Sequence, residues 1–354
     1  MKAWVLRGQA PIQRHPLTLA RLPRPEPRRG EVRIKVLACG VCRTDLHIVE
    51  GDIPMRRRPT VCGHQAVGVI DALGSGVRRR LGERVGVPWL HAVCGTCADC
   101  RAGRENLCAK ARFTGWDVDG GFAEWMTALQ ESAYPLPSLY ADAEAAPLLC
   151  AGVIGYRALR LAGAADRPGG LRRRGELDSR QGRGSFILGL YGFGASAHLT
   201  LQVARGLDCS AYVFSRSPAH RRLARALGAA WAGSAEDRPP KALDGGIIFA
   251  PAGGLVPKAL GHLRAGGTLA LAGITMSPIP AMDYGLIYGE RRLVSVANST
   301  RQDIREFLAL AARRRLRVET ESFPFEAAPE ALRRLKEGKV RGAAVLVRTG
   351  PPAI

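Results

Sequence analysis

Nine cysteines stand in this chain of 354 residues, and four of them fall within fifteen positions, as Cys94-x2-Cys97-x2-Cys100-x7-Cys108. Four thiolates on so short a loop can surround one tetrahedral Zn²⁺ at about 2.3 Å each, and an ion with four protein ligands has no open position, so its role is structural. Two other chemistries use such residues. Iron–sulfur clusters take four cysteines, but their motifs are spaced differently and usually carry a proline after the last one. A redox Cys-x-x-Cys is the other, and two overlapping copies with a fourth thiol fit a metal better.

Three further segments offer ligands: Cys39-Gly40-Val41-Cys42-Arg43-Thr44-Asp45-Leu46-His47, Cys62-Gly63-His64-Gln65 and Pro147-Leu148-Leu149-Cys150-Ala151-Gly152. Each has a plain reading, since a lone cysteine is commonly a small core residue and His64 can be a satisfied buried histidine. Two thiolates and one imidazole would instead leave zinc a fourth position for a substrate oxygen, which is the catalytic pattern. Nothing in the spacing alone brings the three segments together.

The elements that must position these residues fall into two kinds. The first 150 residues read as short strands joined by Gly/Pro-rich turns, with polar–apolar alternation over 31–36 and similar stretches at 66–71 and 84–87. Near Gly155 the rhythm changes. An apolar strand over 186–191 runs into glycines and a helix over 195–205, followed by a strand over 211–214, a helix over 220–227 and buried strands over 246–250 and 268–272. Strand–helix alternation at this spacing predicts a doubly wound parallel sheet. A helix over 303–312 and a strand over 343–347 are expected to rejoin the first domain. Boundaries are set at 1–154, 155–296 and 297–354, and the Gly/Arg-rich stretch 168–184 is read as an exposed loop.

Composition bounds the partners. The formal charge of +21 could serve nucleic acid, but the arginines are scattered, as in Arg56–Arg58, Arg78–Arg80 and Arg313–Arg315, and no aromatics interleave them. The expectation is an arginine-coated surface that helps draw in an anionic dinucleotide. No apolar run approaches the roughly 18–20 residues that span a bilayer. The opening Met1-Lys2-Ala3-Trp4-Val5-Leu6 is no secretory signal, so a cytoplasmic protein is expected, and a disulfide framework is not.

Taken in order, Gly-Val-Cys-x-Thr-Asp-Leu-His, Gly-His, the four-cysteine loop, Gly-Gly-Phe-Ala-Glu-Trp at 120–125, Ala-Ala-Pro-Leu-Leu-Cys-Ala-Gly and a glycine fingerprint resemble the zinc-dependent alcohol dehydrogenases of the medium-chain dehydrogenase/reductase family over nearly the whole chain. The resemblance implies an α/β chain with a GroES-like, mostly-β catalytic domain and a Rossmann coenzyme domain. It implies Cys42, His64 and Cys150 as ligands of a catalytic zinc, beside the structural zinc of Cys94, Cys97, Cys100 and Cys108. Asp45 would orient a zinc ligand, His64, Thr44 would hydrogen-bond the alcohol oxygen, and His47 would pass the proton onward. Cys39, Cys62 and Cys209 fall outside the ligand positions. Trp89, Leu90 and Trp116 fall in segments that line the substrate cleft in relatives. Two departures stand out: Gln65 where the family usually has Glu, and Ile154 where it often has Thr.

Gly189-Leu190-Tyr191-Gly192-Phe193-Gly194-Ala195-Ser196-Ala197 gives Gly-x-Gly-x-x-Ala between a strand and a helix, a dinucleotide fingerprint in that context. An NAD enzyme places Asp or Glu at the end of the next strand, whereas this chain has Ser215-Arg216-Ser217, with Arg221 and Arg222 downstream. Hydroxyls and a guanidinium suit a 2′-phosphate, so NADP(H) is preferred and NAD(H) is the alternative. By resemblance, Arg43 and Arg341 match positions that contact the pyrophosphate. The reading is a hydride-transferring oxidoreductase of primary alcohols and aldehydes, a homodimer or homotetramer. A polyol or formaldehyde dehydrogenase with the same zinc chemistry is the alternative within the enzymes, and a non-catalytic polyanion-binding protein the alternative outside them.

Overall fold

The computed structural model describes residues 1–165 and 185–348; the stretch read as a loop at 168–184 lies outside the described residues. The chain forms two units, Met1–Cys150 with Asn298–Ile354, and Ala151–Ala297. The first break falls inside continuous helical backbone, within the π-helical turn Leu148–Gly152 that leads into the helix Val153–Leu161, so no linker composition marks it.

The first unit is built on a mixed sheet. Its strands run Tyr134–Pro135, Arg84–Val87, Ala66–Leu73, Glu31–Val41, Ala343–Val347 and Thr320–Pro324, with Trp125–Leu129 also paired to Glu31–Val41. Glu31–Val41 is longer than the alternation predicts. Past Val36 it sits in mid-sheet between Ala66–Leu73 and Ala343–Val347, is apolar on both faces, and so loses its alternation. The helices Arg301–Arg313 and Ala328–Lys336 return to this unit and bury Ile304, Phe307, Ala331 and Leu332. Val5, Ile34, Val36, Ile48, Val85, Phe122, Met126 and Leu332 form one core.

The second unit is a six-stranded parallel sheet in the order Trp231–Gly233, Cys209–Phe214, Phe186–Tyr191, Leu243–Ile248, Leu263–Leu271, Arg292–Ser295. This is the dinucleotide-binding order, with the chain reversing direction of addition between Phe186–Tyr191 and Leu243–Ile248. Several bounds differ from the sequence reading. The strand expected over 246–250 ends at Ile248, where Phe249 and Ala250 leave the ladder to donate to Tyr191 O. The one expected over 268–272 starts five residues earlier, at Leu263. The helix expected over 220–227 begins at Pro218, because Ser217 Oγ caps His220 N–H and a proline suits the first turn. No helix among the described residues is long and apolar enough to cross a membrane.

Candidate metal centres and dinucleotide site

Cys42 closes the strand Glu31–Val41 and starts the helix Arg43–Glu50. Asp45, one turn into that helix and fully buried, accepts the Cys42 N–H through Oδ2 (2.9 Å) and the Gly63 N–H through Oδ1 (3.0 Å). The same Oδ1 faces His64 Nδ1 at 3.0 Å, which turns the other ring nitrogen toward Cys42. Gly63 makes this possible: its φ is +97°, and a Cβ there would lie 2.5 Å from Phe122 Cδ1, so only glycine brings His64 round. Cys150 arrives from a different direction, on the π-helical turn Leu148–Gly152, an irregularity often found at functional sites. The ligand atoms of Cys42, His64 and Cys150 all lie within 4.8 Å of one another.

The electrostatics of this triad describe a place for a cation. Contact with Cys150, then with His64, pushes the Cys42 thiol well below its usual range, while Cys150 is pushed up by the same partner and by burial. Burial alone would lower the His64 pKa, yet Asp45 and Cys42 raise it to about 10. A thiolate and a carboxylate thus hold a positive charge in a site only 1% exposed at His64. Two soft sulfur donors and an imidazole anchored through its other nitrogen fit zinc.

The four-cysteine loop is built differently. Cys94, Cys97, Cys100 and Cys108 bring their sulfurs within 4.8 Å of one another, with Cys94 3.5 Å from Cys108 and 3.8 Å from Cys100. Gly95 (φ +74°) turns the chain after the first ligand. The backbone N–H of Thr96, then that of Cys97, lowers the Cys94 pKa to about 5, so one thiolate is already favoured there. This lobe has its own small core of Leu90, Cys108 and Ala111 with Val93 and Phe113. Leu90, read as a cleft residue from its segment, is therefore committed to that core. Cys39 and Cys62 are buried with thiols pushed up by burial, then by Asp45, and Cys209 lies in the second unit.

Around the triad, Thr44 Oγ1 lies 3.8 Å from Cys42 Sγ. His47 Nδ1 contacts Asp52 Oδ2 at 2.7 Å. Gly51 (φ +97°) ends the helix with its N–H on His47 O and turns Asp52 back onto the ring. Asp52 was not anticipated, because the helix Arg43–Glu50 and its Gly51 cap were not read from the sequence. Trp89 meets His64 edge-on at 5.0 Å and stacks on Trp116 (5.7 Å) and Phe113 (5.1 Å). The Arg56 guanidinium lies 3.8 Å over the Trp116 ring. Gln65 packs over Gly40, where a Cβ would meet Gln65 Oε1 at 2.5 Å. Arg43 reaches Leu335 O at 3.5 Å, and Arg341 is 82% exposed beside Glu319 at 3.8 Å. Ile154 lies in the second unit, on the helix Val153–Leu161.

In the second unit, Phe186–Tyr191 feeds through Gly192 and Gly194 into the helix Ala195–Gly206. Gly192 has φ +85°, and a Cβ there would lie 3.1 Å from Ala250, whereas the space beside Gly194 is open, as close approach of a pyrophosphate to a helix N-terminus requires. Ala197 is buried in that helix. Gly189 works from within: a Cβ there would lie 2.5 Å from Leu243, so it serves packing in the sheet. Ser215 is buried and Arg216 exposed just past the strand Cys209–Phe214.

Comparison with known proteins agrees with this construction. Residues 28–138 match the alcohol dehydrogenase GroES-like domain and residues 242–346 the zinc-binding dehydrogenase domain. The chain is 45% identical over 356 aligned positions, 98% of its length and 97% of the relative's, to a protein of Mycobacterium tuberculosis described as a probable alcohol dehydrogenase, AdhA. It is 34% identical to an alcohol dehydrogenase of Geobacillus stearothermophilus, over 93% of this chain and 95% of that one. Among solved structures, a cinnamyl alcohol dehydrogenase of Sorghum bicolor superimposes with a TM-score of 0.84 at 27% identity, covering 98% of this chain and 97% of its own. The two matched domains, the extent of these likenesses and the paired cysteine sites lead to one assignment: this chain belongs to the zinc-binding alcohol dehydrogenase family.

Proposed function

We propose that the protein interconverts primary alcohols and aldehydes with a nicotinamide cofactor, using a catalytic zinc at Cys42, His64 and Cys150 and a structural zinc at Cys94, Cys97, Cys100 and Cys108. The convergence of Cys42, His64 and Cys150 within 4.8 Å carries this reading, since a structural site has no need of an incomplete ligand set. Zinc there would polarise the substrate oxygen as a Lewis acid, and the nicotinamide would supply or accept the hydride.

The chain's own residues do the rest. Asp45 fixes the His64 tautomer by taking its Nδ1 side, and holds Cys42 and Gly63 by their N–H groups. Thr44, beside Cys42, is the hydroxyl placed to hydrogen-bond the substrate oxygen, and His47, steadied by Asp52, is the group that would carry the proton away. The Trp89–Trp116–Phe113 stack beside His64 favours flat, apolar substrates. Gly192, Gly194 and Ala197 would receive the pyrophosphate. Ser215, Arg216 and Ser217, in place of an acidic residue, favour NADP(H) over NAD(H). Arg292–Ser295 ends its sheet with one strand neighbour among the described residues, and Tyr284 and Tyr288 nearby in sequence are 69% and 70% exposed, which supports a homodimer or homotetramer.

The test is the initial rate of NADPH and NADH oxidation with a panel of aliphatic and aromatic aldehydes. Aldehyde-dependent turnover favouring NADPH is the expected result. Turnover favouring NADH would remove the cofactor preference, and no turnover from zinc-loaded protein would overturn the enzymatic reading.

A further inference from the structure

The turn after the strand Cys209–Phe214 is held by a side chain that phosphate recognition leaves without a task. Arg221, on the helix Pro218–Ala226, donates through Nη1 to the carbonyl oxygens of Ser215 (2.7 Å) and Arg216 (3.1 Å). Other bonds fix the corners of the same turn. The Ser215 N–H reaches Gly233 O at 2.8 Å. The Ser217 N–H reaches Ser215 Oγ at 3.4 Å, and Ser217 Oγ accepts from the His220 N–H at 3.3 Å. Each hydroxyl oxygen thus accepts from a backbone N–H, which keeps its own proton available to donate. Arg216 is exposed, and no hydrogen bond or ion pair engages its guanidinium among the described residues.

We infer that Arg221 is the positioning residue of a 2′-phosphate site whose contacting groups are Arg216 and the Ser215 and Ser217 hydroxyls; this rests on the NADP(H) reading above. Two bare carbonyl oxygens in this turn would repel a phosphate. Bound to a guanidinium, their negative ends are offset and their direction is fixed, so the turn presents donors. Arg221 is thereby occupied with backbone and is not itself a phosphate ligand.

The experiment measures KM and kcat with NADPH and NADH, and competitive inhibition by adenosine 2′-monophosphate and adenosine 5′-monophosphate, in the wild type, Arg221→Met and Arg221→Lys. The wild type should favour NADPH and the 2′-monophosphate. Arg221→Met should raise the NADPH KM and the 2′-monophosphate inhibition constant roughly tenfold, with kcat and all NADH and 5′-monophosphate values within about twofold. The loss should be equal at low and high salt, because a brace is not screened as a through-space attraction is. Arg221→Lys should recover most of it, since one nitrogen makes both contacts. A wild type that favours NADPH with an unaffected Arg221→Met would overturn the role of Arg221 alone, as would a loss that vanishes at high salt or that extends equally to NADH. A wild type that favours NADH and does not discriminate the two monophosphates would overturn the NADP(H) reading and this inference with it.

Discussion

The two cysteine-rich centres of the first unit bring their donor atoms together by opposite routes. Cys94, Cys97, Cys100 and Cys108 come from one loop, and the sulfurs need only Gly95 and a small local core to meet. Cys42, His64 and Cys150 come from a strand–helix junction, a glycine turn and a π-helical turn that the whole unit must assemble. Fully buried Asp45 ties two of those segments together, whereas Asp99 and Glu105, the carboxylates of the loop segment, are only half-buried. A centre folded around its ion is a clip on the chain; a centre folded before its ion is an arranged receptor with a position left over. Removing a ligand should therefore cost activity at one and stability at the other.

The largest effect that sharpens this contrast is Cys42→Ser. Turnover should fall on the order of 10³-fold or more, since several kcal/mol of charge stabilisation is lost, while far-UV circular dichroism and melting temperature stay near wild type. Substantial residual turnover would take Cys42 out of the reacting site. Cys97→Ser should do the reverse, lowering the melting temperature by more than about 5 °C while the folded fraction keeps its turnover per catalytic zinc. An unchanged melting curve would deny the loop its structural role.

Asp45→Asn should weaken catalytic-site zinc by about 10–100-fold, read by competition with a chelator, because an amide cannot accept from Cys42, Gly63 and His64 together. Equal chelator resistance would mean that the loop and the triad are held alike after all.

A further effect lies beside the loop and concerns acid stability alone. His91 is 5% exposed, and burial, then Arg112 and Arg301, depress its pKa to about 4. Above about pH 6.5 it is neutral folded or unfolded and costs nothing. As pH falls from about 6.5 to 4 the unfolded chain takes up a proton that the folded chain refuses, so stability drops by roughly 3 kcal/mol and then levels off. Denaturant titrations across that range should show a shallower decline in His91→Asn; identical slopes would clear His91 of the acid sensitivity.

How far the sequence could be read follows the same divide. The loop centre was legible because its spacing is local, and the Rossmann strands because apolar runs alternate with helical stretches. The triad was legible only as three separate segments, since no local rule brings Cys150 to His64, and its membership came from resemblance. The burial of Leu90 was not legible because a segment's neighbourhood does not tell which way one side chain faces; Leu90 lies in the loop's core, where Leu90–Ala92 pairs with Arg112–Phe113. Asp52 was missed because its contact depends on the left-handed turn at Gly51. Arg221 was noted only as a cation downstream of Ser215–Ser217, and its grip on two carbonyls is a use of charge that composition cannot show.

The central claim, two zinc ions with divided roles, is tested most directly by measuring zinc per chain and aldehyde turnover on the same samples of wild type, Cys42→Ser and Cys97→Ser. The account predicts about two ions and turnover in the wild type, about one ion and no turnover in Cys42→Ser, and about one ion with turnover in whatever Cys97→Ser remains folded. About one ion in the active wild type, or turnover that survives in Cys42→Ser and disappears in folded Cys97→Ser, would contradict it.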